Sequence, residues 1–549
     1  MRQSNPILFQ TILLLCFSLG LSCQESTTKK TIKVITEETK SYEDWVTVDV
    51  THNETRFHHL EFQIDLRHRG TSHLEIYDYG YKEPTGSSDW NENITAQDIQ
   101  SATLVYEHDY VDLTQWKYTL SGVRARHLFK LHMDCEVELD GVVHTFSHTK
   151  WIHTPALPDY FPTLQMAESV TEPSDKLSQY IFMSLFRWKP GLDRNWGLLM
   201  AVDRQGIPVW SYLNDHGLDS YVFWPERGLF FIELNNEIVH IDKNAKEVRR
   251  WKASDFGLDS FHHELIPMQN GNLLTVATRA YDFEEGQLNA VETEPNYLIS
   301  DVLVELDLET NRVVRDLELY YYWDPSVHFT DSSLNRFWET HYQRLGKSGT
   351  ADWTHVNGLY LDETQDILLV SLRHLDSILA LNWSTGERIW EFGRFGNVNH
   401  SGQDNVFPFH PHAPKLDQDG NLLFFDNGNG REAAEPYSQA LNIKIDTNTT
   451  PVLAETLWSY QLRDNPVYAP FVGDVDDLQD RALITFGGLI EDPNLPLGSP
   501  DNSKLARIIE VSYDLAQQEQ PYFDLTLSGG NRSIGYSVYR AEPLESIEF

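Results

Sequence analysis

One coarse unit recurs six times between residues 197 and 515 and limits the fold more than any other feature: an apolar strand, a short gap, a second apolar strand ending near Asp, and a Gly or Asn turn, often with Trp. The copies are GLLMAVDRQGIPVWSY, GLFFIELNNEIVHIDKNAKEVRRW, NLLTVATRA with VLVELDLETNRVV after an insertion, ILLVSLRHLDSILALNWSTGERIW, NLLFFDNGNG with ALNIKIDTNTTPV, and ALITFGGL with ARIIEVSYDL. Helix-period stretches are nearly absent. A strand pair cannot bury both of its faces alone, so repetition at this scale predicts an all-β fold, a six-bladed β-propeller over residues 176–549. The insertions at 281–296 and 320–352 then emerge as loops over one face.

Residues 48–154 follow a different pattern. Leu60, Phe62, Ile64 and Leu66 alternate with polar residues, the run from Phe129 to Leu139 does the same, and Asp140-Gly141 supplies a hairpin turn. This period of two predicts a small N-terminal β-sandwich domain ahead of the propeller. Its histidines, His58 and His59 among them, are expected at solvent-facing strand positions, and Cys135 as a buried thiol on the apolar face. The proline-rich stretch 155–175 is expected to be a linker, and the polar stretch 23–47 a tether.

The first 22 residues carry Arg2 and an apolar run from Ile7 to Leu21, the layout of a lipoprotein-type signal peptide. Leu19-Gly20-Leu21-Ser22-Cys23 resembles a bacterial lipobox, which makes Cys23 the expected lipidation site and first mature residue. Cys135 is then the one unmodified cysteine, and no intramolecular disulfide is expected. The expected location is periplasmic or cell-surface, with the membrane reached only through the lipid anchor. With 43 basic and 82 acidic residues the net charge is −39, a field that repels phosphodiesters, so nucleic acid is not an expected partner.

Three copies of the repeat are preceded by a histidine. His263 lies ten residues before Leu273, His412 ten before Leu422, and His355 twelve before Ile367, where the turn is two residues longer. Residues just before the inner strands of consecutive blades are expected to converge at the channel mouth. Arg373 lies six residues after Ile367, and Arg279 six after Leu273. Three imidazoles and a guanidinium with no matching carboxylate make a hydrogen-bond-donating pocket suited to a tetrahedral oxyanion. One imidazole with a neutral nitrogen can attack as a nucleophile. Metal coordination by the three imidazoles and a set of satisfied core histidines compete with that reading; the nearest carboxylates, Glu264 and Asp426, belong to strand or turn positions, and neither metal nor cofactor is expected.

The blocks FHHELIPMQNGNLL, DWTHVNG, SLRH, HAPKLDQDGNLLFFDNGNGR and SVYRAE resemble the bacterial arylsulfotransferases over roughly residues 160–545. The resemblance implies a six-bladed propeller enzyme that moves a sulfuryl group from an aryl sulfate donor to a phenolic acceptor, without the nucleotide donor PAPS. It matches His412 to the family's nucleophile and His355, Arg373 and His263 to its other catalytic groups; apart from that match, Arg279, from its offset in the repeat, and Asn357 are the expected substrate-binding residues. The route implied is ping-pong transfer through a sulfohistidine, and a homodimer is the assembly considered. The enteric members' loop disulfide has no counterpart, because the interval from Arg373 to His412 contains no cysteine. The rival reading is a non-catalytic surface propeller that binds sulfated glycans or other anions through Trp and Tyr platforms.

Overall fold

The computed structural model describes residues 45–547 apart from 53–55, 84–93, 168–177, 189–195, 235, 284–294, 401–406, 433–435, 497–498, 500 and 530–534. The expected signal peptide, Cys23 and all but the end of the expected tether lie outside the described residues. Strands dominate: among the described residues the α-helices are two single-turn pieces, Ala96–Ser101 and Glu339–Arg344.

The N-terminal part is β1 (Val46–His52), β2 (His59–Tyr81), β3 (Thr103–Ser121), β4 (His127–Leu139) and β5 (Val142–His153). They form one hydrogen-bonded antiparallel sheet, not the two separate sheets of the expected sandwich. The cause is the length of β2: its first half pairs with β1, its second half with β4, and β3 follows it along the other edge. Register slips between Asp65 and Gly70, where a Cβ on Gly70 would meet the Glu136 carbonyl at 2.3 Å, so a glycine lets the strands approach there. Alternation puts Ile64, Leu74, Ile76, Leu131, Met133 and Cys135 in one core. Burial pushes the Cys135 thiol up to about 12, which makes it inert. His58 and His59 are not solvent-facing: both are buried, His58 2.9 Å from Ser211 Oγ in the next part of the chain and His59 3.0 Å from Ser121 Oγ on β3.

The expected linker is partly ordered. β6 (Thr163–Met166) adds an antiparallel edge to Phe523–Ser528, and the Tyr536 hydroxyl donates to the Tyr160 carbonyl at 2.7 Å.

From Tyr180 onward the described residues form six four-stranded antiparallel meanders, covering 218–252, 262–318, 356–393, 411–461, 474–528, and 180–214 completed by the late strand Gly535–Leu544. That late strand pairs with Tyr180–Trp188 and joins the two ends of the region. The first strands of neighbouring meanders pack on each other, Leu218–Trp224 on His262–Pro267, that on Val356–Asp362, and so on to Gly535–Leu544, which returns to Leu218–Trp224. Each neighbouring pair also shares an apolar core. In Gly197–Asp203, Leu198, Met200 and Val202 enter one core while Leu199 and Ala201 enter the next. Burial on both faces is why these strands read as unbroken apolar runs.

One expectation about strand order fails. The strands beginning at Leu273, Ile367 and Leu422 are the second strands of their meanders, not the inner ones. His263 and His412 lie on the inner strands themselves, and His355 immediately precedes one.

Candidate active site

Each of these inner strands has a register shift where the histidine sits: between His262 and Leu265, between Val356 and Gly358, and between His412 and Lys415. A bulge bends the strand and re-aims its side chains. His263 (φ 65°), His355 (φ 50°) and Ala413 (φ 46°) adopt the left-handed backbone region at these points, strain of the kind that concentrates at functional sites. By strand register His412 is the counterpart of His262: each faces the residue three beyond the start of its second strand, Phe425 and Val276 respectively. His263 reaches the same cavity because it lies within the bulge.

The cavity they line is about 390 Å³, and Arg373, Asn357, His374 and Tyr539 line it too. Phe186, Trp188, Phe337 and Phe471 form apolar walls. The rings of His263 and His355 are 5.0 Å apart, and Tyr539 lies between histidines, 5.9 Å from His263 and 5.2 Å from His412. His374 stacks on His355 at 4.5 Å.

The expectation of a site without matching carboxylates is corrected. His355 Nδ1–H donates to Asp352 Oδ2 at 2.6 Å, which leaves Nε2 for the cavity. His374 Nδ1–H donates to the Asp352 carbonyl at 2.6 Å. His263 and His262 share a 2.6 Å contact between their Nδ1 atoms, and His262 Nε2 stands 3.0 Å from Asp301 Oδ1. These carboxylates sit behind the imidazoles, on strand positions that the repeat spacing does not mark. The Asp352, His355 and His374 ligand atoms are close enough together to raise the metal reading again. A 2.6 Å contact between His355 and Asp352 is a direct hydrogen bond, though, and no cation fits between those two atoms.

Burial governs protonation here. It holds His355 and His412 down at about 3 and His263 well below its ordinary value. A carboxylate at 2.6 Å would ordinarily charge His355, but full burial outweighs it and the imidazole stays neutral. Burial also raises Asp352 to about 7 and lowers Arg373 to about 10, so Arg373 remains a cation at neutral pH. His412 Nδ1 is buried with no hydrogen-bond partner among the described residues.

Arg373 follows the second strand Ile367–Leu372 and turns inward on a short 3-10 helix, its N–H donating to the His355 carbonyl at 3.1 Å. Its guanidinium donates to the Pro470 carbonyl at 3.1 Å, and among the described residues no carboxylate lies within 4.0 Å of it. Arg279 does not join it. The strand Leu273–Asp282 runs straight on past the matching point, so Arg279 lies off the cavity, ion-paired with Glu318 and 3.7 Å from Asp316. Asn357 lines the cavity, but its amide braces the protein: Nδ2–H donates to the carbonyl of Pro411, the residue before His412, and Oδ1 accepts from Ser371. Sequence reasoning missed Asp352, His374 and Tyr539 as site residues, although DWTHVNG, SLRH and SVYRAE contain them. Arg540, next to Tyr539, is held by Glu264 at 2.9 and 2.7 Å and so is not free to bind a ligand.

Residues 184–537 match the model of the family described as arylsulfotransferase (ASST). That interval contains all four of the expected catalytic residues. Arylsulfate sulfotransferase AssT of Lelliottia amnigena is 27% identical over 320 residues, 52% of this chain and 44% of that protein. AssT of Escherichia coli O6:H1 (strain CFT073) is 26% identical over 195 residues, 30% of this chain and 32% of that protein. The chain therefore spans less than half the length of either relative. Among solved structures, dihydro-heme d1 dehydrogenase NirN is similar over 70% of this chain and 78% of that one, with 12% identity and a TM-score of 0.33. By the extent of its family match, this chain belongs to the arylsulfotransferase family.

Proposed function

We propose that the six meanders are the blades of a six-bladed β-propeller, and that the cavity at its centre moves a sulfuryl group from an aryl sulfate to a phenol by double displacement through His412, with no nucleotide donor. The observation that carries this reading is the state of Arg373. A guanidinium beside an apolar-walled cavity, with no carboxylate within 4.0 Å among the described residues, calls for an anion. Arg279, Arg431 and Arg540 all have carboxylate partners. A sulfate monoester supplies a single negative charge on three oxygens, and Arg373 can hold two of them with its planar fork. The aromatic walls fit the aryl group.

In the first half-reaction a neutral ring nitrogen of His412 attacks sulfur. An N–S bond forms, the S–O bond to the aryl group breaks, and the phenolate leaves with that electron pair. In the second, the acceptor's phenol oxygen attacks sulfur, the N–S bond breaks, and the phenol proton passes through Nε2 of His355 to solvent, where it balances the phenolate released earlier and leaves His355 neutral again. Asp352 orients His355 for that transfer. Charge on the sulfuryl oxygens is met by a donor already in place.

The test is release of a chromogenic phenol from its sulfate ester by the purified chain. The reading requires release, and faster release when a second phenol is added, with that phenol recovered as its sulfate. No release would leave an anion-binding module; release unaffected by phenol, with inorganic sulfate as product, would make the protein a hydrolase.

For location, the supporting feature is the apolar run followed by Ser22-Cys23. We propose a lipid-anchored protein of the periplasm or cell surface. Cys23→Ser should move it from the membrane fraction to the soluble fraction or leave the precursor uncleaved; unchanged processing and partitioning would contradict this.

A further inference from the structure

The outer face of the N-terminal sheet carries a second cluster of titratable side chains, with no part in the chemistry above. His73 and Glu75 lie two residues apart on β2 and so point to one face. Opposite them on β3 are Asp109 and Glu107, and on β4 Asp134 and His132. Cross-strand partners share a face, so two imidazoles and four carboxylates are gathered there. Glu75 stands directly across from Glu107, a like-charge pairing that is destabilising on its own. Among the described residues no Lys or Arg nitrogen lies within 4.0 Å of any of these carboxylates, whose close nitrogen partners are the two imidazoles.

The geometry within the cluster is more specific than charge alone. His73 Nδ1–H donates to Asp109 Oδ1 at 2.7 Å, which turns Nε2 toward the glutamates. Nε2 lies 3.7 Å from Glu75 Oε1 and 3.5 Å from Glu107 Oε1, too far for good hydrogen bonds. Two ligands of a tetrahedral cation, each bound at ~2.0–2.1 Å, stand roughly 3.3–3.4 Å apart. All three ligand atoms lie within 4.8 Å of one another. Tyr77 Oη donates to Glu75 Oε1 at 3.0 Å, and Asp109 fixes the imidazole's tautomer, the outer contacts that a metal-binding carboxylate and histidine usually have.

We propose that His73, Glu75 and Glu107 bind a divalent cation of the zinc class, His73 through Nε2 and each glutamate through Oε1, with Asp109 orienting the imidazole and solvent completing the shell. The cation cancels the Glu75–Glu107 repulsion and ties β2 to β3, which pairs with no other strand among the described residues.

The purified chain, stripped by chelator, is titrated with zinc chloride by calorimetry, and its thermal unfolding midpoint is followed with and without zinc. The wild type should take up one more zinc per chain than His73→Ala, and zinc should raise its midpoint but not that of the variant. Because these side chains are at the surface, the variant should keep its strand-type circular dichroism. If it does not fold, Asp109→Asn serves instead, and should bind zinc about tenfold more weakly. Equal uptake and equal midpoint shifts in wild type and variant, or no uptake by the wild type, would overturn the proposal.

Discussion

At the scale of single residues, the proposed chemistry turns on which side chains carry charge. Arg373→Lys keeps the cation but loses the planar fork, so kcat/KM should fall about 100-fold with the fold intact. Equal activity would reduce Arg373 to a point charge. Asp352 touches no substrate in this account, so it is a positioning residue. Asp352→Asn should slow turnover of acceptors with a high phenol pKa about 100-fold, while acceptors already ionised at the assay pH lose much less. A uniform loss across acceptors would make Asp352 merely structural. Sequence offsets located His263, His355, His412 and Arg373 because repeated spacing is visible without coordinates. They failed for Arg279, because equal offsets do not reveal where one strand stops and another continues. Tyr539 was not recognised because its contacts are with histidines far away in sequence, and Asp352 because spacing does not show that the backbone turn folds it back onto His355, three residues on.

At the scale of elements, the bulges on the inner strands do the positioning. Gly358 lies where two inner strands nearly touch: a Cβ there would meet the Ala413 backbone nitrogen at 2.7 Å and Pro414 Cδ at 2.8 Å. Gly358→Ala should push away the strand that holds His412, lowering stability by about 1–3 kcal/mol and lowering kcat more than it raises KM. Denaturant titration and steady-state kinetics check this; a variant with native stability and rate would show that the approach is not tight. The repeated strand pairs were legible because burial on both faces leaves a continuous apolar signature. The inner strands were not, since they carry polar residues toward the cavity and break that signature. The N-terminal strands were legible from their alternation, but not that β2 is long enough to unite them into one sheet.

At the scale of the whole molecule, folding holds several histidines neutral at once. Burial lowers His58, His59, His355, His374 and His412 to about 3 from an ordinary 6.5. Above pH 6.5 these groups are neutral in both states and contribute no pH dependence. Below it, the unfolded chain binds protons that the folded chain refuses, so stability falls with falling pH until about 3. Four carboxyls act oppositely: burial raises Asp219 and Asp476 to about 6 and Asp352 and Glu542 to about 7, so the folded state takes up their protons first. That offset ends near pH 4, where unfolded carboxylates protonate as well, so the steepest loss should come between about pH 4 and 3. Thermal midpoints measured from pH 7 to 3 check this, and a midpoint flat from pH 5 to 3 would contradict it. Whether His412 carries the sulfuryl group is read from intact-mass and peptide spectrometry of the purified chain mixed with an aryl sulfate and no acceptor. A burst of one phenol per chain is expected, with a protein heavier by one sulfuryl group on the peptide containing His412. The adduct should disappear when a phenol is added and be absent from His412→Asn. An adduct on His263 or His355, or full turnover by His412→Asn, would contradict it.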